Sequence, residues 1–113
     1  MIAIGDKISK NSKITVGSEA ITRIRELRVD LCFLGVNAIN LQTGVSDNDW
    51  DIVQVKKAMI KAADKTALLC ISEKLGSVQK IQVSPLNAID YLLTELDPRD
   101  GRVKKYSDTL EVL

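Results

Sequence analysis

The stretch that most constrains this chain runs from Asp30 to Lys74. Asp30-Leu31-Cys32-Phe33-Leu34 reads as a strand and Gly35 to Ser46 as a glycine-bearing loop. About Asn48 to Asp64 follows as a long amphipathic helix, and Thr66 to Ile71 as a second strand that stops at Ser72-Glu73-Lys74-Leu75-Gly76. Both strands are continuous apolar runs, the pattern of strands buried on two faces. Strand–helix–strand order then gives a parallel pair joined by a right-handed crossover. Open parallel sheets take their ligands beyond the carboxyl ends of the strands. Those ends here carry Gly35-Val36-Asn37 and Ser72-Glu73-Lys74, and the binding site is expected there.

The 113 residues suffice for one domain with a modest core, below the usual size of a complete α/β enzyme. Sixteen basic residues against fifteen acidic ones argue against a strongly electrostatic DNA or RNA binder, which needs a clustered excess of Lys and Arg. One Trp, one Phe and two Tyr make no base-stacking platform. The absence of histidine excludes His-based acid–base chemistry, Ser–His and Cys–His pairs and most zinc sites. Cys32 and Cys70 both fall in apolar strands and read as free core thiols of a reducing compartment rather than as a disulfide. No apolar run is long enough to span a bilayer, and Met1 to Asp6 lack the features of a signal peptide. A cytoplasmic protein is expected.

Ahead of the central unit, Ile2 to Ile4 read as a short strand, Lys7 to Lys13 as a polar loop and Ile14-Thr15-Val16 as a brief extended piece. A first helix is expected with Ser18 as N-cap and Ala20, Ile21, Ile24 and Leu27 as its buried stripe. Arg23, Arg25 and Arg28 on that helix read as a solvated face ahead of a phosphate patch. Ser46-Asp47-Asn48-Asp49 offers several N-caps for the long helix, whose core stripe is Ile52, Val55, Met59, Ala62 and Ala63. Asp47, Asp49 and Asp51 lack the glycine and terminal glutamate of a calcium loop, so capping explains them better. Beyond the unit, Lys80 to Ser84 and Tyr91 to Glu95 read as strands, Pro85 to Asp90 as a connection and Asp97 to Arg102 as a turn. A short helical piece and a last strand at Leu110 to Leu113 complete the chain.

Lys74 is the residue that chemistry singles out. A lysine at the carboxyl end of a buried strand can place its ammonium in the crevice as a point charge for a phosphate, though lysines in surface turns are commonplace. The Ser72 hydroxyl and nearby backbone N–H groups add donors, while Glu73 could neutralise the patch. Asn37 could bond sugar hydroxyls or simply form the turn, and Gly35 and Gly44 suit backbone geometry as well as close approach to a ligand.

Several pieces, in order, resemble the C-terminal effector-sensing domain of the DeoR family of bacterial transcriptional repressors. Asp30 to Ile39 is similar to the family's D-x-x-F-x-G-x-x-G-I strand and loop. Gly44-Val45-Ser46 followed by Val55-Lys56-Lys57-Ala58-Met59-Ile60 is similar to its G-x-T/S … V-K-R-A-M-I helix. Leu69 to Gly76 is similar to its L-A-D-S-S-K-F-G turn, and Ile89-Asp90 with Leu93-Thr94-Glu95 to its later I-D … I-T-D. The likeness covers roughly Ile2 to Asp97. It implies an α/β fold of the sugar-isomerase/CoA-transferase-like, ribose-5-phosphate isomerase-like kind, with a mostly parallel sheet and flanking helices. It also implies a phosphorylated sugar as effector, no cofactor, control of carbohydrate metabolism, and DNA contact through an N-terminal helix-turn-helix. Gly35, Asn37, Gly44, Ser72 and Lys74 become the effector-binding set.

The chain departs from the family pattern in definite ways. Residues 1–113 read as a single effector-sensing domain without the helix-turn-helix and without the first part of the sensor, which carries an Asp-Ser-Gly-Thr-Thr phosphate loop. The Asp of the Asp-Ser-Ser-Lys turn is Ile71 here. The catalytic glutamate of the related isomerases falls near Asp51 or Ile52, with no glutamate in place. Two other readings stay open: an oligomerisation module with a vestigial site, and half of a sugar-phosphate isomerase-like enzyme. A truncated sheet leaves an apolar edge or face uncovered, so a homodimer or larger homo-oligomer is expected.

Overall fold

The computed structural model describes residues 7–8, 15–16 and 18–113, with side chains from residue 20 onward. Its centre is a four-stranded parallel sheet in the order β3 (Val29–Gly35), β6 (Ala63–Leu69), β8 (Tyr91–Leu93), β9 (Glu111–Val112). Between β3 and β6 the chain makes two short strands, β4 (Ala38–Asn40) and β5 (Gly44–Asp47), and the long helix α2 (Trp50–Ala62). Between β6 and β8 it makes a 3-10 turn at Ser72–Lys74, strand β7 (Ile81–Ser84) and a second 3-10 turn at Leu86–Ala88. Strands β4, β5 and β7 form a separate antiparallel sheet, and the short helix α3 (Gly101–Lys104) leads into β9. The architecture is α/β, as the strand–helix–strand reading requires.

Helix α2 starts where its sequence says it should. Asp49 is the N-cap, in extended conformation, and its carboxylate accepts from the backbone N–H groups of Asp51 (3.0 Å) and Ile52 (3.3 Å). Helix α1 (Ser18–Arg25) packs on α2 through Ile21 and Ile24, which meet Ile52, Val55 and Met59. Ser18 is the first helical residue rather than the cap, and Leu27 lies beyond the helix and is exposed. Strand β2 (Thr15–Val16) matches the expected extended piece. It pairs antiparallel with β1 (Lys7–Ile8), in residues that polar composition alone reads as loop. The expected strand at Ile2 to Ile4 lies outside the described residues. Among the described residues no helix is long and apolar enough to cross a membrane.

The two faces of the parallel sheet differ. Alternation along the strands puts Cys32, Leu34, Leu68 and Leu92 on one face, where they pack with Val53 of α2, Ile39, Val45 and Val83 of the small sheet, and Tyr106. The other face carries Leu31, Phe33, Leu69, Tyr91 and Leu93, and no described element lies over it. Phe33 is 56% exposed, Leu69 45% and Leu31 42%. The expectation that both apolar strands are buried on two faces is therefore not met among the described residues, whose helices lie on one side. The sequence of the two strands is nevertheless that of strands covered on both sides, and among the described residues β3 is an edge strand. An apolar hollow of about 350 Å³ continues the open surface between α1, β3 and α2, lined by Ile24, Leu27, Val29, Leu31 and Met59.

Candidate functional site

Strands β3 and β6 end side by side, tied by the bond from the Val36 N–H to the Leu69 carbonyl at 3.2 Å. Beyond them opens a crevice of about 630 Å³, within the usual range of small-ligand sites. Its walls are Gly35, Val36 and Asn37 after β3, Leu69, Ile71 and Lys74 after β6, and Asp47 to Asp49, Ile52 and Lys56 where β5 runs into α2.

One side of the crevice is a buried ion pair. Lys56 is 7% exposed and Asp47 2%. The Lys56 ammonium donates to the Asp47 carboxylate at 3.2 Å and to the Gly35 carbonyl at 2.9 Å. Asp47 also accepts from the Asn37 side-chain amide at 2.9 Å and from the backbone N–H groups of Asn48 (2.6 Å) and Asp49 (3.3 Å). Burial alone would raise its pKa. The positive charge of Lys56 and the bonds from Asn37 and Asn48 outweigh that and hold the carboxyl below its ordinary value. The pair stitches β3, β5 and α2 together just under the crevice. An ammonium has three donors, and Lys56 spends two on these partners, so a third remains on a group that lines the cavity.

The other side is the turn after β6. Ser72–Lys74 is a single 3-10 turn, closed by the Lys74 N–H on the Ile71 carbonyl (2.9 Å) and the Leu75 N–H on the Ser72 carbonyl (3.2 Å). The Lys74 carbonyl accepts from the Ser77 hydroxyl at 2.7 Å, which fixes the backbone of that residue. Lys74 is half-buried, and its ammonium has no carboxylate within ion-pair distance among the described residues. The exposed Ile71 stands beside it at the mouth of the crevice.

Of the five residues singled out by sequence, Gly35, Asn37 and Lys74 line this crevice together. Ser72 does not line it: its N–H and hydroxyl both point to the Glu95 carboxylate, at 2.8 and 2.7 Å. Gly44 sits at the start of β5 with φ +81°, where a Cβ would run into the Ser84 carbonyl oxygen, so glycine there serves the pairing of β5 with β7. Sequence reasoning misses Lys56, which it leaves off the apolar stripe of α2, and gives Asp47 only a capping role. The available signal is the spacing of Ile52 and Lys56, one helical turn apart and therefore on one face. Near the isomerase position, Ile52 is a crevice wall and Asp51 is exposed and outside it. Cys32 and Cys70 are free and buried. Burial raises both thiol pKa values, that of Cys70 to about 11 with help from Glu95, so neither is a nucleophile. Among the described residues no cluster of His, Cys, Asp or Glu could hold a metal ion.

Comparison with known proteins agrees with this geometry. The "HTH-type transcriptional regulator GlpR" of Haloferax volcanii is 30% identical over 91 residues, which cover 80% of this chain and 36% of that protein. The "Glycerol-3-phosphate regulon repressor" of Haemophilus influenzae is 29% identical over 79 residues, 70% of this chain and 31% of that one. The "Putative aga operon transcriptional repressor" of Escherichia coli O157:H7 is 23% identical over 95 residues, 84% of this chain and 35% of that one. The chain thus spans about a third of the length of the curated relatives it matches. The family described as the DeoR C terminal sensor domain matches residues 1–96, which takes in the parallel sheet through β8 and the whole crevice, and the chain belongs to that family.

Proposed function

We propose that this chain is the effector-sensing part of a cytoplasmic regulator of carbohydrate metabolism, and that its crevice takes a small phosphorylated sugar or polyol. The observation that carries the reading is the half-buried Lys74 at the carboxyl ends of two parallel strands, its ammonium without a carboxylate at ion-pair distance among the described residues, in a crevice that Lys56 also lines. Lys74 supplies the charge for a phosphate. The Lys56 donor and the polar group of Asn37 suit hydroxyls, and Gly35 lets the ligand approach the backbone. Ser72 and Gly44 serve the site by shaping the turn and the hairpin beside it. Names such as the glycerol-3-phosphate regulon repressor agree with this ligand class. DNA contact is assigned to a helix-turn-helix segment of the kind the relatives' names describe, not to this chain.

The same geometry speaks against an isomerase. Proton shuttling at a sugar carbon needs a free, positioned carboxylate. Asp47 is saturated by Lys56, Asn37 and two backbone donors, Asp49 caps α2, and Asp51 is outside the crevice. The open apolar face favours covering by further polypeptide in a longer regulator. In this chain alone it favours a homo-oligomer.

Thermal unfolding against a panel of phosphorylated sugars and glycerol 3-phosphate tests the reading. A ligand at 100 times its Kd adds about 2.7 kcal/mol, a rise of several degrees in Tm. One compound should give that rise in the native chain and a clearly smaller one, from weakened binding, in Lys74→Ala. Equal shifts in both proteins, or no shift with any compound, would refute the assignment.

A further inference from the structure

The turn that presents Lys74 lacks a cap of its own. In the position that usually holds Ser, Thr, Asp or Asn stands Ile71, extended and with no side-chain bond to the turn. The leading N–H of a helical turn has no partner inside the turn, so the Ser72 N–H must find one elsewhere. It finds Glu95, from the neighbouring strand. Strands β6 and β8 run parallel, and their last rung is the bond from the Cys70 N–H to the Leu93 carbonyl at 3.0 Å. Two residues beyond that rung on each strand, the Glu95 carboxylate accepts from the Ser72 N–H with one oxygen (2.8 Å) and from the Ser72 hydroxyl with the other (2.7 Å). The Thr94 hydroxyl donates to the first oxygen at 2.8 Å and so orients the carboxylate. A two-point contact fixes direction as well as distance.

We propose that Glu95 is a positioning residue of the crevice: it caps the Ser72–Lys74 turn from the adjacent strand in place of the apolar Ile71, and so fixes where Lys74 holds its ammonium. The proposal rests on the reading that Lys74 receives a phosphate. Glu95 is exposed and lies outside the crevice walls, so its effect on a ligand passes through the turn. The Ser72 and Thr94 hydroxyls, with backbone N–H groups, hold its pKa down to about 2, which keeps the clamp anionic at any pH used for binding. The polar contact that sequence alone assigns to a ligand at Ser72 is thereby spent on the scaffold. An ordinary surface contact between an exposed carboxylate and a serine would leave Lys74 unaffected, and this is the difference to measure.

Amide hydrogen exchange at Ser72 and Lys74, whose N–H groups are bonded in the turn, reports the clamp without any ligand. Titration with the sugar-phosphate panel and with inorganic phosphate reports its consequence. In Glu95→Ala, exchange at these two amides should rise about tenfold or more while β3 and β6 stay protected. Affinity should fall about tenfold, as for the loss of a charge-assisted bond pair. Ser72→Ala, which removes one of the two points, should give a smaller change of both kinds, and Glu95→Gln should keep part of the clamp. In a Lys74→Ala background the affinity loss from Glu95→Ala should vanish, because the two residues act in series. Unchanged exchange in Glu95→Ala overturns the proposal whatever the ligand data show. So does an affinity loss that simply adds to that of Lys74→Ala, since Glu95 would then act by another route. Should the native chain bind neither the panel nor phosphate, the functional reading fails and takes the role of Lys74 with it, while the exchange rates still decide whether Glu95 caps the turn.

Discussion

Replacing Asp47 by asparagine is the most informative single change in this protein. The carboxylate accepts four hydrogen bonds, two of them from the backbone where β5 enters α2, and it neutralises a lysine that is almost fully buried. The amide introduced by Asp47→Asn would keep one carbonyl oxygen but turn an NH2 group toward the Asn37 amide or the Lys56 ammonium, donor against donor. Lys56 would then be left with the Gly35 carbonyl as its one acceptor. Breaking a buried pair by removing one partner costs about 3–5 kcal/mol. A chain of this length has about 6–17 kcal/mol of stability at the usual 0.05–0.15 kcal/mol per residue, so the loss is large. Lys56→Met should cost less, about 1–3 kcal/mol, because Asp47 keeps Asn37 and its two backbone donors. The double variant should be more stable than the sum of the singles by about 2 kcal/mol, since it removes the stranded charge. Urea unfolding of the four proteins measures all three quantities. The pKa of Asp47 is lowered on folding, so its contribution is full above the ordinary carboxylate value of about 4 and is lost as pH falls through the lower folded value. The gap between native chain and Asp47→Asn should therefore be flat from about pH 8 to 5 and close only below about pH 4. A loss under about 1 kcal/mol for Asp47→Asn, or strict additivity in the double variant, would refute this account of the pair.

Four further outcomes follow from single contacts. Gly44→Ala should destabilise by about 2–4 kcal/mol in urea unfolding, from positive φ and the collision with the Ser84 carbonyl. Gly76→Ala, with the same φ but open space around it, should cost only about 1–2 kcal/mol, and equal losses at the two sites would contradict the structure. Cys32 and Cys70 should resist a thiol reagent at neutral pH and react only at the unfolding rate, because both are buried with raised pKa values; rapid labelling in the folded state would count against this packing. Phe33→Asp should abolish the proposed homo-oligomer in sedimentation velocity with little loss of monomer stability, since the ring is more exposed than buried in the isolated chain.

Elements that carry an apolar run or period are legible in the sequence, and those set among turn residues are not. The parallel pair β3/β6 follows from two apolar runs with a helix between them, and Lys80 to Ser84 and Tyr91 to Glu95 read as strands from their apolar positions. The hairpin β4/β5 disappears into the loop read from Gly35 to Ser46. Its markers are present: the Asn40 side chain accepts from the N–H groups of Gln42 and Thr43, and Gly44 takes positive φ to open the returning strand. In β4 (Ala-Ile-Asn) and β5 (Gly-Val-Ser-Asp) the few apolar positions sit among turn residues and do not stand above a loop, whereas the equally short β7 and β8 keep an alternating or continuous apolar run. Within the site, the neighbourhood of Gly35, Asn37 and Lys74 is legible because strand ends converge by topology. The bonds of Asp47 to Lys56 and of Glu95 to Ser72 are not, because they join residues from separate elements that a reading by local role treats one at a time.

The open sheet face and the crevice share a boundary, and this bears on how a sensor of this kind can work. Leu69 belongs to the uncovered face of the parallel sheet and is also a crevice wall. Ile71, two residues further along the same chain, stands exposed at the crevice mouth. Polypeptide laid over Leu31, Phe33 and Leu69 must approach both side chains, so it adds a wall to the cavity that holds Lys74. A ligand of the proposed kind seated there would contact both the sheet tips and that covering surface. Its binding energy depends on how that surface lies, and linkage makes the dependence reciprocal: a ligand that prefers one arrangement of the cover shifts the population toward it. The buried Asp47–Lys56 pair makes the opposite wall rigid, tying β3, β5 and α2 into one block. A wall fixed by the fold and a wall supplied by a separate surface would let the proposed effector report its presence beyond its own site.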